Sequence, residues 1–315
     1  MPRADRLGIV QSGGYQQGSD MQRRDIVQLL LLLLCGTPLL WASGMSETGV
    51  GILIDSFDQW STQELVVNAS YFDVEYSGVP GDVLHAEIYG PSDQKVERSR
   101  SGDTVSIDVK EPLLGVSGNP VGLIRISGPL SMQDIQIVSE SGDVRFSKVK
   151  ADNLSVTSAS GNVIMEDCEG PAHVVTTSAN VNLTGCDGAK EIQTTSGDVQ
   201  IEASQGSVTA QSTSGRIKLW VVEGAVELRS VSGSVEGTRL NLSDNSTFRT
   251  TSGRIEIMAE NDPSELTYDL QTQSGSIAVD STDAGREVTR GSGSISVTAR
   301  SQSGNIAIYH DDDSP

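Results

Sequence analysis

Two aspartates, Asp143 and Asp198, hold the same place in a recurring unit, Ser-Gly-(polar)-(Val/Ile). Carboxylates in that arrangement are the first place to seek a metal site or an acid–base pair. The third position of the unit reads Asp143, Asn162, Asn180, Asp198, Arg216, Ser234, Arg254, Ser276, Ser294 and Asn305 along the chain. Of these, Asp143, Asn162, Asn180, Asp198, Arg216 and Arg254 make a candidate polar strip. A polysaccharide-lyase type of site needs clustered carboxylates around an ion and an Arg or Lys base on the same face. With units stacked at strand spacing, Asp143 and Asp198 stand roughly 14 Å apart. They are too far apart to share one ion, and corner residues chosen for turn chemistry account for the pattern more simply.

The remaining chemistry-bearing residues are scattered. His85, His173 and His310 lack metal-ligand spacing with one another, and no Ser/His/Asp order stands out among the abundant serines. The tail 310-HDDDSP-315 reads as a solvated acidic end. The Gly-Gly-x-Gly-x-Asp repeat of calcium-dependent solenoids is absent. No catalytic, cofactor or metal residue is therefore assigned. One pair does have a meaningful spacing: Cys168 and Cys186 each lie eight residues after their unit's serine, Ser160 and Ser178. If the units stack, their Cα atoms come about 5 Å apart, within reach of a disulfide.

The unit itself recurs ten times, with serines at 141, 160, 178, 196, 214, 232, 252, 274, 292 and 303. Most intervals are 18 residues; the exceptions are 19, 20, 22 and a final 11. A short fixed period sustained this long marks a repeat architecture. After each unit, apolar residues alternate with polar ones, as in Val199/Ile201 and Ile217/Leu219. A second alternating run, such as Val208/Ala210 or Val226/Leu228, follows half a unit later. Period two means strands with one buried face. A unit with two short strands cannot bury that face alone, so the units must stack. The expected fold is all-β: a β-solenoid of about ten coils with an 18–22-residue period, spanning 131–308, preceded by a more irregular β region over 45–130. The glycines of the units, Gly142, Gly161, Gly197, Gly215, Gly233, Gly253, Gly275, Gly293 and Gly304, are expected to turn corners at positive φ; Ala179 replaces one of them. Extra residues in the coils starting at Ser232 and Ser252 put loops near 243–247 and 259–266, where a partner could be met.

The T-x-S-G-[DNRS]-[VI] units and the preceding Ile126-Ser127-Gly128-Pro129-Leu130 segment resemble the bacterial "putative adhesin" family of unknown function, also called the toastrack domain, over roughly 62–308. The resemblance implies an exported right-handed β-solenoid, in some relatives beside envelope-stress sensors, and it carries over no catalytic residues.

Composition bounds location and partners. The net charge is −20, and residues 1–44, with four Arg and three Asp, leave −21 for the rest. Nucleic acid and anionic lipid are disfavoured by that charge. Residues 22–44 read as a signal peptide: Arg23 and Arg24, then apolar Ile26–Leu34, then Ala42-Ser43-Gly44. Residues 1–20 are a polar extension, and Met21 is an alternative start. Cys35 follows Leu34 rather than a small residue, which argues against lipidation. The domain reading is thus 1–20 extension, 21–44 signal, 45–130, 131–308 and an acidic tail, 309–315. The expected protein is an exported, non-catalytic module of the periplasm or cell surface with no cofactor. It acts as an adhesin or cell-envelope interaction module whose partner is an envelope protein or glycan. It would touch a membrane only through an uncleaved signal. Two alternatives stay open: a carbohydrate-active solenoid enzyme and an envelope-stress sensing scaffold.

Overall fold

The computed structural model describes residues 51–110 and 121–310, all within the unit Thr48–Pro315. The expected extension 1–20, the signal segment 21–44 with Cys35, and the tail beyond His310 lie outside the described residues. Apart from a 3-10 turn at Pro263–Glu265, the regular structure described is all strand. The strands form two sheets, here the first (14 strands) and the second (13 strands).

The two alternating runs of each unit go to different sheets. The run after Ser-Gly joins the first sheet: Val199–Gln205 pairs in parallel with Val181–Thr184 on one side and Ile217–Gly224 on the other. The second run joins the second sheet, where Val208–Ser212 lies between Lys190–Thr194 and Val226–Ser230. Register follows the repeat, with Val199 opposite Ile217 and Val208 opposite Val226. The inward positions become continuous ladders. Val181, Val199, Ile217, Val235 and Ile255 in the first sheet face Ile192, Ala210, Leu228 and Phe248 in the second, all at most 1% exposed. Each large buried side chain of this kind contributes about 1.5–3 kcal/mol. Inter-coil hydrogen bonds satisfy the backbone, so no coil is stable without its neighbours. The fold is the expected β-solenoid. Setting aside the strands that pair antiparallel (Ile52–Trp60, Val83–Gly90 and Thr282–Gly285 in the first sheet, Val96–Ser101 and Glu287–Gly291 in the second), eleven parallel strands remain in each sheet.

The coils do not all stack in chain order. Near the start, Glu64–Ser70 lies between Thr104–Val109 and Ser131–Ser139, and Phe72–Val79 lies between Gly122–Pro129 and Val144–Ser147. At the other end, Ile295–Ser301 is inserted between Ser246–Thr250 and Leu266–Thr272. Likewise Ile306–His310 sits between Ile255–Ala259 and Ile277–Val279. The last coil in sequence is thus the last but one in space, and the antiparallel strands close both ends. Open parallel edges invite pairing with other chains, which explains why the ends are built differently.

This order corrects one element of the sequence reading. Ser292-Gly293-Ser294-Ile295 is not a coil corner of the usual kind, because Ile295 opens a strand of the second sheet rather than the first. Gly293 packs on Glu265 and Leu266. The corner at Ser274 instead meets the one at Ser303, with Gly275 stacked on Gly304.

Candidate functional site

The corner that follows the second-sheet strands is built from three ladders. The first is the glycines. None of the nine has positive φ, contrary to the sequence expectation. They are required by close approach: a Cβ on Gly215 would sit 1.8 Å from the Gly197 carbonyl oxygen, and one on Gly233 would sit 1.9 Å from that of Gly215. The left-handed backbone lies at the opposite corner, seven residues after the serine, at Lys148, Asp167, Gly185, Ala203, Val221 and Arg239. Gly170, Gly188, Gly206 and Gly224 add positive φ three residues further on.

The second ladder is a buried hydroxyl two residues before every unit serine except Ser292, where Arg290 stands. Ser212 Oγ accepts from Gly215 N–H at 2.8 Å, Ser230 Oγ from Gly233 at 2.9 Å and Thr250 Oγ1 from Gly253 at 3.0 Å. The motif serine does not take this role; Ser141 Oγ has no partner at all among the described residues.

The third ladder is the candidate polar strip. Asp143 Oδ1 accepts the Asn162 N–H at 2.8 Å, Asn162 Oδ1 that of Asn180 at 3.3 Å, Asn180 Oδ1 that of Asp198 at 2.9 Å and Asp198 Oδ1 that of Arg216 at 2.7 Å. Each of these carboxylates or amides is occupied by the coil above it. The strip therefore splices coils together rather than offering free ligands. Arg216 and Arg254 lie beyond it, 3.9 Å from Glu236 and 2.8 Å from Glu256 respectively. Among the described residues no group of three His, Cys, Asp or Glu could hold a metal ion. His85, His173 and His310 each face a carboxylate, of Asp58, Glu191 and Asp280, in separate places.

Cys168 and Cys186 are brought together. They are 4% and 3% exposed and unbonded, and Glu169 and Asp187, the residues after them, pair in parallel. The Cys168 thiol donates to the Glu166 carbonyl at 3.4 Å and the Cys186 thiol to those of Met165 and Thr184 at 3.5 Å. The neighbouring Cys186 thiol and then burial push Cys168 up, whereas the Cys168 thiol holds Cys186 down against the effect of burial. Nearby, Lys190 takes an inward place in the second sheet and donates to the Gly188 and Gln205 carbonyls at 2.8 and 2.6 Å; burial lowers its pKa to about 8.

A groove of about 710 Å³ lies elsewhere, along the outer edge of the second sheet beside the glycine corner. Its floor is one outward register line crossing seven strands: Val175, Gln193, Gln211, Arg229, Arg249, Arg300 and Gln271. Six steps of strand spacing make it about 29 Å long. Its rim carries Thr195, Thr213, Val231, Thr251, Gln273 and Gln302. Arg229 pairs with Glu227 at 2.5 Å, and Arg300 pairs with Asp269. Arg249, between them, is exposed, and its guanidinium has no hydrogen bond or ion pair with any described residue. Sequence reasoning passed over these residues although a signal existed: six of the seven are polar, and all lie three residues before a unit serine. The insertions at 243–247 and 259–266 lie away from this groove; Asn245 and Asn261 bond neighbouring coils, to Ser296 N–H at 2.9 Å and Leu242 N–H at 2.7 Å.

Two sheets of in-register parallel strands, spliced at the corners and closed at both ends, define a capped β-solenoid with a polar groove on one side. The chain belongs to the Toastrack DUF4097 family, whose model matches residues 116–243 and 222–309. Similar solved structures include a "putative adhesin" from Bacteroides fragilis, 15% identical, covering 82% of this chain and all of the other at a TM-score of 0.44. Another, named a "putative adhesin" from Parabacteroides merdae, is 9% identical, covers 82% and 97%, and has a TM-score of 0.26. A "putative lipid binding protein" from Parabacteroides distasonis is 14% identical, covers 81% and 96%, and has a TM-score of 0.33. No curated protein matches the chain.

Proposed function

We propose that the chain is an exported, non-catalytic adhesion or cell-envelope interaction module that engages its partner along the groove of the second sheet. The observation that carries this reading is the groove's lining. It repeats one set of donors and hydroxyls strand after strand and holds no carboxylate among its lining residues. Cleaving a glycosidic bond with paired carboxylates requires two of them flanking that bond. A repeated line of amides, hydroxyls and guanidiniums suits holding an extended chain instead. Export is supported by the basic, apolar and small-residue succession of 22–44. The partner is an envelope protein or glycan, and any membrane contact is through the N-terminal segment if it is retained.

The test is binding of the purified chain to isolated cell envelopes, with Gln193→Trp and Gln211→Trp as variants that fill the groove. The reading expects both to lose binding with unchanged melting temperature, and it expects the protein to be recovered outside the cytoplasm on fractionation. Full binding by both variants would sink the groove as the contact surface.

A further inference from the structure

We infer that the groove takes an acidic polysaccharide, a chain of uronate-type sugars whose carboxylates meet Arg229, Arg249 and Arg300. This rests on the groove being the contact surface. Like charges directly across neighbouring strands repel. Yet three arginines follow one another here on adjacent strands, Arg229 opposite Arg249 and Arg249 opposite Arg300. The chain's net charge of −20 opposes any polyanion at long range, so these three cations on one face act through direct contact. The outer two are tethered to Glu227 and Asp269, while the middle guanidinium is free among the described residues. A guanidinium presents a planar fork of donors that fits a carboxylate with two parallel hydrogen bonds. Arg249 is therefore the one position where an incoming anion displaces no existing partner. Gln211 precedes the arginine run and Gln271 follows it in the same register line, placing amides that donate to and accept from sugar hydroxyls on either side.

Spacing separates the classes of polyanion. The arginines recur at about 4.8 Å, close to the length of one sugar unit, so they reach carboxylates on successive or alternate sugars. An extended acidic peptide puts side chains on one face only every second residue, at about 6.7 Å, out of step with both. Single-stranded nucleic acid is held by stacking its bases on aromatic rings, and no aromatic residue lines the groove.

The experiment is calorimetric titration of the full chain with polygalacturonate oligomers, their fully methyl-esterified counterpart and polyglutamate. Polygalacturonate is expected to bind, more weakly as salt is raised, and at least about tenfold tighter than the ester or polyglutamate. Arg249→Gln, which repeats the residue type of Gln211, should lose about tenfold with melting unchanged, and Arg249→Lys should fall between. Equal binding of acid and ester would overturn the anionic class while leaving a neutral-glycan groove standing. Polyglutamate binding as tightly as polygalacturonate would overturn the sugar. If no polymer binds, the inference fails; whether Gln211→Trp still abolishes envelope binding then shows if the groove reading fails with it.

Discussion

Cys168 and Cys186 sit in equivalent places of adjacent coils, and the Asp187 N–H donates to the Cys168 carbonyl at 2.9 Å, holding the two thiols in register inside the wall. Exposed during folding to a disulfide oxidant such as oxidised glutathione, the pair is expected to lose two protons and two electrons and form one S–S bond, with glutathione reduced. Unreduced mass spectrometry of protein from an oxidising compartment should then show no free thiol. Its stabilisation, with a loop of one coil closed, is at most about 3 kcal/mol. Two free thiols in such protein would refute this expectation.

Inward and outward places should differ sharply in tolerance. Val199 and Ile217 are 1% and 0% exposed, whereas their neighbours Gln200 and Lys218 face solvent. Val199→Asp or Ile217→Asp buries an unpaired carboxylate and should cost several kcal/mol. Gln200→Asp or Lys218→Asp should change denaturant midpoints by no more than about 0.5 kcal/mol equivalent. Equal losses in the two classes would contradict the strand phase.

The buried hydroxyl ladder makes a subtler claim. Ser212 Oγ is the acceptor for the Gly215 N–H at 2.8 Å, so Ser212→Ala leaves that buried donor unsatisfied. The expected loss is about 1–3 kcal/mol. Ser214→Ala, at the exposed motif serine itself, should cost much less. Reversal of that order in chemical denaturation would assign the corner role to the motif serine instead.

A pH dependence follows from the first splice of the corner ladder. Asp73 Oδ1 accepts the Asp143 N–H at 2.8 Å. Burial pushes the Asp73 carboxyl from 3.8 up to about 6; the Asp143 N–H and Arg145 oppose the rise, and the charges of Asp143 and Glu75 add to it. Between about pH 4 and 6 the folded chain binds more protons at this group than the unfolded chain. Its contribution to stability is therefore present at the acid side and lost as pH rises through that window. Asp73→Asn keeps the acceptor without the charge, as Asn162 and Asn180 do further along. It should flatten the slope between pH 4 and 6 and raise the melting temperature at pH 7. An unaltered slope would show that Asp73 does not titrate there.

The fold was legible because its information is periodic. An eighteen-residue interval together with alternation such as Val199/Ile201 specifies both the strands and their register. Coil order was not legible. The Ser292 unit has the same four residue types as its siblings, but which strands close the ends is decided by contacts between segments distant in sequence, Ile306 with Ile255 and Ile277. The glycine corner was located correctly and explained wrongly, because crowding by a neighbouring coil and positive φ both select glycine. The groove was present in the sequence as Gln193, Gln211, Arg229, Arg249 and Arg300 at one phase. It was less legible than the Asp and Asn positions of the unit, whose side chains the backbone of the next coil already occupies.

The insertion of residues 295–310 beneath the coil that precedes them limits how such a chain can change length in evolution. Duplicating a unit at either end would break the interleaving and strand the cap. From Lys150 to Ala259 every coil rests on its sequence predecessor, so a tandem copy of one unit there preserves all junctions but its own. Lengthening of this architecture by gene duplication is thereby confined to its middle, and each added coil from the Gln/Arg stretch would extend the groove by one strand.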